Sequence, residues 1–269
     1  MPTGISLHVG LNRVDPDRYG GWDGTLVACE NDARDMARLA RAAGFSDTVL
    51  LTEEGTVDRI TAELRAAAER LAAGDILLFT YSGHGGQVPN VTGDDNEPDR
   101  RDETLVFYDR QFLDDELHQE FLRFDSGVRI FDLADCCHSG TNIELPGAPA
   151  VSGRFVPEPK QIELYEQDRD FYDDLQRSLA KAATPSGNGH GPPVILVSAC
   201  QDNQVAADGD VNGAFTGALL GVWNNGVFQG DYRTFHRAIQ RELPPSQSPN
   251  LYTTGSPTEA FLGQRPFTV

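Results

Sequence analysis

Two short segments of this 269-residue chain carry residue types suited to covalent chemistry. One is Ser82-Gly83-His84-Gly85-Gly86, and the other is Asp135-Cys136-Cys137-His138-Ser139-Gly140. Glycines on both sides of His84 would expose its ring and the neighbouring backbone N–H groups. A thiol on a tight turn beside an imidazole is what a Cys/His nucleophile pair needs. The thiolate is the reactive species, and a free thiol with a pKa of about 8.5 is mostly protonated near neutrality. Each segment comes directly after an apolar run, residues 75–81 (DILLFTY) and residues 127–134 (GVRIFDLA). Runs this continuous read as strands buried on both faces. If the two strands are neighbours, imidazole and thiol meet at the carboxyl edge of the sheet, where open α/β sheets bind ligands.

The elements that must hold these segments alternate between strand and helix. Residues 5–11, 48–51, 75–81, 127–134 and 193–199 read as strands. Residues 30–43 carry Ala33, Met36, Ala37 and Ala40 at helical spacing with Gly44 placed to end the helix, and residues 56–73 form the next helix. Further helices are predicted over 115–123, 215–224 and 232–243. This alternation predicts an α/β domain with a mostly parallel central sheet and helices on both faces. Residues 87–101 are polar and turn-rich and read as a loop. Residues 144–191 read as an exposed, cleavable insert with a helical stretch over 161–183. The chain is thus read as one domain, with a larger part over 1–143, the insert, and a smaller part over 192–269.

Charge narrows the function. Lys and Arg number 22 against 41 Asp and Glu, a formal net charge of −19. Such a surface repels nucleic-acid phosphates and anionic lipid, so neither nucleic acid nor membrane is expected as a partner, whereas cationic peptides and metal ions are attracted. No apolar run approaches the ~20 residues of a membrane span. No secretory signal is read at the N-terminus. The four cysteines, Cys29, Cys136, Cys137 and Cys200, form no C-x-x-C pair, which fits a reducing, cytoplasmic setting.

His84 precedes Cys137 by 53 residues, close to the His-to-Cys spacing of about 50 in caspases. The local sequences Tyr81-Ser82-Gly83-His84-Gly85 and Asp135-Cys136-Cys137-His138-Ser139-Gly140 resemble those of the metacaspases (orthocaspases in bacteria), caspase-like cysteine peptidases. So do residues 26–33 (LVACENDA), 113–117 (LDDEL), 198–208 (SACQDNQVAAD) and 213–216 (GAFT). The resemblance runs nearly end to end and implies the caspase-hemoglobinase fold.

It also implies roles. Cys137 is the expected nucleophile, His84 its acid/base partner, and the backbone N–H groups of Gly85 and Cys137 the oxyanion hole. Asp32, Ser82 and Asp135 are expected to line an acidic S1 pocket that takes Arg, then Lys, and repels acidic side chains. No cofactor is essential on this reading. Calcium is the one metal the family implies, with Asp99, Asp102, Asp114 and Asp115 as ligand candidates. Where relatives place a further Asp seven residues after the nucleophile, this chain has Glu144. The insert offers Arg154, Lys160, Arg169, Arg177 and Lys181 as self-cleavage candidates, so a zymogen activated by cleavage, by another protease or by a regulatory protein is expected. The family further suggests a monomer and a bacterial defence or stress effector.

Plainer readings stand beside these. Cys29, Cys136 and Cys200 read as inert core thiols. Asp32 could serve only the dipole of its helix, and Asp114-Asp115 could simply cap residues 115–123. Residues 208–213 begin like a calcium-binding EF-hand loop, but position 12 is Leu219 instead of Glu, and that reading is rejected. Two functional alternatives remain open: a catalytically silent caspase-like scaffold, and a caspase-like protease cutting after Asp.

Overall fold

The computed structural model describes residues 2–93, 100–137, 153–182, 191–201, 204, 206–255 and 258–269. In chain order the first elements are β1 (Gly4–Gly10), α1 (Cys29–Ala42), β2 (Ser46–Leu51), α2 (Val57–Arg70) and β3 (Ile76–Ser82). Then come β4 (Gly85–Pro89), β5 (Arg101–Val106), β6 (Gln111–Leu113), α3 (Asp114–Phe121) and β7 (Arg129–Asp135). The remainder comprises α4 (Glu158–Gln167), α5 (Arg169–Ala182), β8 (Val194–Ser198), α6 (Ala214–Trp223), α7 (Tyr232–Glu242), β9 (Asn250–Thr254) and α8 (Thr258–Leu262).

The main sheet has six strands in the order β2-β1-β3-β7-β8-β9. All neighbours are parallel except β9, which runs antiparallel to β8 at the edge. Helices cover both faces, as the alternation predicts. Val57, Ile60 and Leu64 of α2 and Leu117 and Phe121 of α3 pack with Leu77, Phe79 and Ile130 on one face. Met36 of α1, Phe215 and Leu219 of α6 and Phe235 of α7 pack with Leu78, Phe131, Leu133 and Val197 on the other. A strand's side chains alternate between faces, so β3 and β7 contribute to both cores. Burying one such Leu or Phe stabilises by about 1.5–3 kcal/mol, which makes the sheet a stiff platform for its strand ends.

One register positions the chemistry. β3 and β7 pair in parallel with Ser82 opposite Asp135. His84 and Cys137 each lie two residues beyond that pair, so the imidazole and thiol leave neighbouring strands at the same level.

The expected loop over 87–101 is corrected. Gln87, Val88 and Pro89 belong to β4, which pairs antiparallel with β5, and β5 with β6, to form a separate three-stranded sheet. Its strands are short and β4 begins with two glycines, so no apolar alternation announced them. The single helical stretch over 161–183 is instead two helices meeting at Asp168.

Candidate active site

His84 sits in the bend between β3 and β4 and is buried. Its Nε2 lies 2.7 Å from the Gly24 carbonyl oxygen. A carbonyl can only accept, so Nε2 carries the proton and Nδ1 is the free base. Burial lowers the pKa to about 4, with the Gly24 and Phe155 backbones opposing that drop and Arg154 reinforcing it, so the ring is neutral at pH 7. Nδ1 has no well-formed hydrogen bond among the described residues. Trp22 packs over the ring at 4.9 Å between centroids and helps to exclude water.

Cys136 and Cys137 come after β7 and point to opposite faces, each into a different apolar core. Cys137 Sγ lies 2.8 Å from Cys200 Sγ and accepts the Ala206 N–H. The hydrogen bond to Cys137, together with burial, pushes the Cys200 thiol up, so Cys200 stays protonated. Cys200 is buried and protonated, as expected of an inert core thiol, and it touches the candidate nucleophile. Between the described His84 and Cys137 no hydrogen bond forms. Sγ is turned toward the floor of the site.

The cleft holds a piece of the chain itself. Residues 153–156 run through it extended, with Gly153 bridged antiparallel to Ala207 and Phe155 bridged parallel to Gly85. The carbonyl oxygen of Arg154 accepts two N–H bonds, from Gly85 at 3.0 Å and from Cys137 at 3.0 Å. These are the two donors expected to form an oxyanion hole. On either side, Arg154 N–H donates to the Ala206 carbonyl (3.2 Å) and Val156 N–H to the Gly85 carbonyl (2.9 Å).

The Arg154 side chain is fully buried, at 0% exposure. Its Nη2 donates to Asp32 Oδ2 (2.8 Å) and Asp208 Oδ1 (2.9 Å). Its Nη1 donates to Ser82 Oγ (2.8 Å) and the Asp135 carbonyl (3.2 Å), and lies 3.0 Å from Asp135 Oδ1. Asp32, Ser82 and Asp135 are therefore brought together as the resemblance implied. Three carboxylates face one guanidinium. Burial opposes the arginine's charge, but Asp135 and Asp32 outweigh it and hold its pKa well above the usual value. Asp32 is pushed up to about 6 by burial and by Asp135, against the pull of Arg154 and the Ser82 hydroxyl.

The carboxylates are braced from behind. Asp32 accepts Ser82 Oγ–H (2.7 Å) and Gly213 N–H (3.0 Å), and Asp135 accepts Thr216 Oγ–H (2.6 Å) and N–H (3.1 Å). Gly213 must be glycine here, because a Cβ would lie 2.5 Å from Arg154 Nη1. Asp208 was missed in the sequence. It accepts the Val27 and Ala28 N–H groups just before and at the start of α1 (2.7 and 3.3 Å), and only that long-range placement brings it to Arg154.

The remaining candidates lie elsewhere. Lys160, Arg169, Arg177 and Lys181 sit in α4 and α5. There their backbone is helical, not extended as in the cleft, and Arg169 and Arg177 pair with Glu166 and with Asp173 and Asp174. Asp102 lies on β5 and accepts Asn90 Nδ2–H (2.6 Å), and Asp114 and Asp115 open α3. Asp99 and Glu144 fall outside the described residues. Among the described residues no three His, Cys, Asp or Glu side chains assemble around a point that could hold a metal, so those present do not by themselves make a calcium site. No helix among them is long and apolar enough to cross a membrane.

A parallel sheet with a Cys and a His at adjacent strand ends, joined by a peptide carbonyl on two backbone donors, defines a caspase-like cysteine peptidase site. The caspase domain family model (Peptidase_C14) matches residues 14–261, and the chain belongs to that family of cysteine-type peptidases. Metacaspase-1 of Mycosarcoma maydis is 30% identical over 91% of this chain and 69% of its own length. Metacaspase-1 of Schizosaccharomyces pombe is 29% identical over 91% of this chain and 66% of its own length. The chain thus spans about two thirds of these relatives. Among solved structures, protein GSU0716 from Geobacter sulfurreducens superposes with a TM-score of 0.88 at 46% identity, covering 100% of this chain and 99% of that one. Caspase-1 from Spodoptera frugiperda shares the fold at 11% identity, with a TM-score of 0.53 over 94% of this chain and 86% of that one.

Proposed function

We propose that this chain is a cysteine endopeptidase that cleaves after Arg, then Lys, and that its own Arg154–Phe155 bond is its first substrate. The single observation that carries the reading is the seating of Arg154. Its carbonyl accepts from both Gly85 and Cys137 while its guanidinium lies among Asp32, Asp135 and Asp208. Charge-assisted bonds from several carboxylates favour a cation and would repel an acidic P1 side chain, which argues against cleavage after Asp.

The reaction needs only groups already present. Cys137 turns about χ1 away from Cys200, and its Sγ, deprotonated by His84 Nδ1, attacks the Arg154 carbonyl carbon. Charge developing on the oxygen is held by the Gly85 and Cys137 N–H groups, preorganised for it. Protonated His84 gives its proton to the departing Phe155 nitrogen, leaving a thioester between Cys137 and Arg154. Water, activated by His84, hydrolyses the thioester and frees the thiol. No step uses a metal, so no cofactor is essential on this proposal. The enzyme acts as a monomer on protein segments that can lie extended in the cleft, and Arg154 keeps it closed until it is cut or displaced.

The test is intact-mass analysis of the purified chain over time, with matched fluorogenic peptides ending in Arg, Lys or Asp, each with calcium and with chelator. Cleavage between Arg154 and Phe155, turnover of Arg above Lys with none of Asp, basal rates indifferent to chelator, and loss of all of it in Cys137→Ala are expected. Turnover of the Asp peptide, or complete silence, would overturn the reading; silence with retained partner binding would favour the scaffold.

A further inference from the structure

The segment in the cleft continues past the scissile bond, and the site grips the two residues beyond it. Val156 is fully buried, at 0% exposure, in a small apolar cluster of its own with Val14, Tyr19, Val106 and Leu164, against which Trp22 packs. Phe155 is half-buried against the core that contains Cys137. The backbone between these side chains is held as well. Val156 N–H donates to the Gly85 carbonyl (2.9 Å), and the Val156 carbonyl accepts Gln161 Nε2–H (2.6 Å). Gln161 Oε1 in turn accepts the Gln87 N–H of β4 (3.1 Å). Tyr19, which closes the cluster, is itself fixed by donating its hydroxyl to the Phe107 carbonyl (2.6 Å).

We infer that the cleft has a primed side that selects two apolar residues after the cleaved Arg, an aromatic or large aliphatic group at P1′ and a β-branched aliphatic group at P2′. The preferred substrates are extended segments of the form small–Arg–aromatic–aliphatic, for which Gly153–Val156 is the template. A carboxylate at P2′ would be buried among Val14, Val106 and Leu164, a cluster that holds no cation among the described residues, and burying an unpaired charge is costly. The acidic S1 pocket and the apolar S2′ pocket thus make opposite demands two residues apart, and together they define a narrow substrate class. This inference rests on the chain being the Arg-directed peptidase proposed for it.

Internally quenched decapeptides containing Gly-Arg and then Phe-Val, Asp-Val, Phe-Ala or Phe-Asp separate the two claims. They are offered to the full-length Arg154→Ala chain, whose own segment has no cation to seat, beside a coumarin peptide that ends in Arg and has no primed residues. Turnover of the coumarin peptide, with Phe-Val exceeding each Asp peptide on the order of tenfold or more in kcat/KM, is expected. Coumarin turnover with all quenched peptides within about twofold would overturn the primed-side inference and leave the peptidase intact. Silence on every substrate from a variant that circular dichroism shows to be folded would overturn both. Because Arg154→Ala empties a buried ion cluster and could unfold, Phe155→Ala and Val156→Ala in the otherwise unchanged chain provide the second measurement. Each is expected to slow self-cleavage after Arg154 about tenfold, and unchanged rates would overturn the inference.

Discussion

The backbone N–H of Cys137 donates to the carbonyl oxygen of Arg154 at 3.0 Å, so the residue that carries the candidate nucleophile also holds the oxygen of the bond it faces. The second donor, Gly85 N–H, is also at 3.0 Å. Neither donor is a side chain. Replacing the thiol should therefore leave the seating intact while removing the reaction.

In Cys137→Ala the chain should remain a single intact species over days. Its self-cleavage rate should fall by roughly a factor of 10⁴ or more, as expected for loss of a nucleophile that acts with its base. Intact mass spectrometry is the measurement. A cut after Arg154 persisting in this variant would assign the cleavage to another protease.

A cut after Arg154 should not separate the two halves. The break would fall between β7 and β8, which are hydrogen-bonded neighbours with Ile130 opposite Val194 and Ala134 opposite Ser198. Both faces of that pair are buried, Phe131 and Val197 in one core and Ile130 and Val194 in the other. Size-exclusion chromatography of cleaved protein should give one peak at the elution volume of the intact chain, and denaturing electrophoresis two bands. Two peaks under native conditions would contradict this.

Removing the arginine should be costly to the fold. Asp32, Asp135 and Asp208 crowd a side chain with 0% exposure. Breaking a buried ion pair from one side typically costs about 3–5 kcal/mol because the other charge is left unpaired. Arg154→Met should lower unfolding stability by an amount of that order, and Arg154→Lys by less, since the ammonium keeps the charge but not the planar fork that reaches four groups. Denaturant unfolding at pH 7 measures both. Equal stabilities for wild type and Arg154→Met would mean that the carboxylates are not ionised together.

The buried strands, the flanking helices and the two chemical segments were legible because each obeys one strong rule: continuous apolar runs, helical spacing of Ala and Met, and glycine-flanked His and Cys at strand ends. Asp32, Ser82 and Asp135 were legible only through motif resemblance, since a carboxylate in the first turn of a helix has an ordinary explanation. The small sheet was illegible because Gly85 and Gly86 carry no side-chain pattern. Asp208 and the distinction between Arg154 and the other basic residues of the insert depend on long-range placement. Nothing local tells an arginine in an extended segment from one in a helix two turns later. The contact between Cys200 and Cys137 was illegible for the same reason, the two being 63 residues apart in sequence.

Acid should slow cleavage through the pocket before it reaches the base. Asp32 is raised to about 6, whereas burial holds His84 at about 4. As pH falls through 6, Asp32 takes up a proton and its ion pair with Arg154 Nη2 is lost, while His84 remains neutral and able to accept a proton. Self-cleavage should fall several-fold between pH 7 and pH 5, and Asp32→Asn should cleave more slowly at pH 7 with little further change over that interval. First-order rate constants across the range are the check. A wild-type profile flat to pH 5 would remove Asp32 from the limb.

Stability should carry a separate pH signature from a carboxyl that has no part in the reaction. Asp132 lies in the middle of β7 between Phe79 and Leu196, is buried, and its Oδ1 finds no partner among the described residues. Burial raises its pKa from 3.8 to about 8, so the folded chain holds a proton there that the unfolded chain releases above pH 4. Where the folded state binds more protons, stability falls as pH rises. Asp132 should therefore contribute a loss of stability between about pH 4 and pH 8 of up to roughly 6 kcal/mol, at about 1.4 kcal/mol per pH unit, opposed below pH 6.5 by His8 and His84, which burial holds neutral. Asp132→Asn keeps the shape but cannot ionise, so it should match wild type near pH 4 to within about 1 kcal/mol and exceed it by several kcal/mol at pH 9. Denaturant unfolding of both proteins at a series of pH values tests this, and parallel curves would mean that Asp132 is ionised in the folded chain.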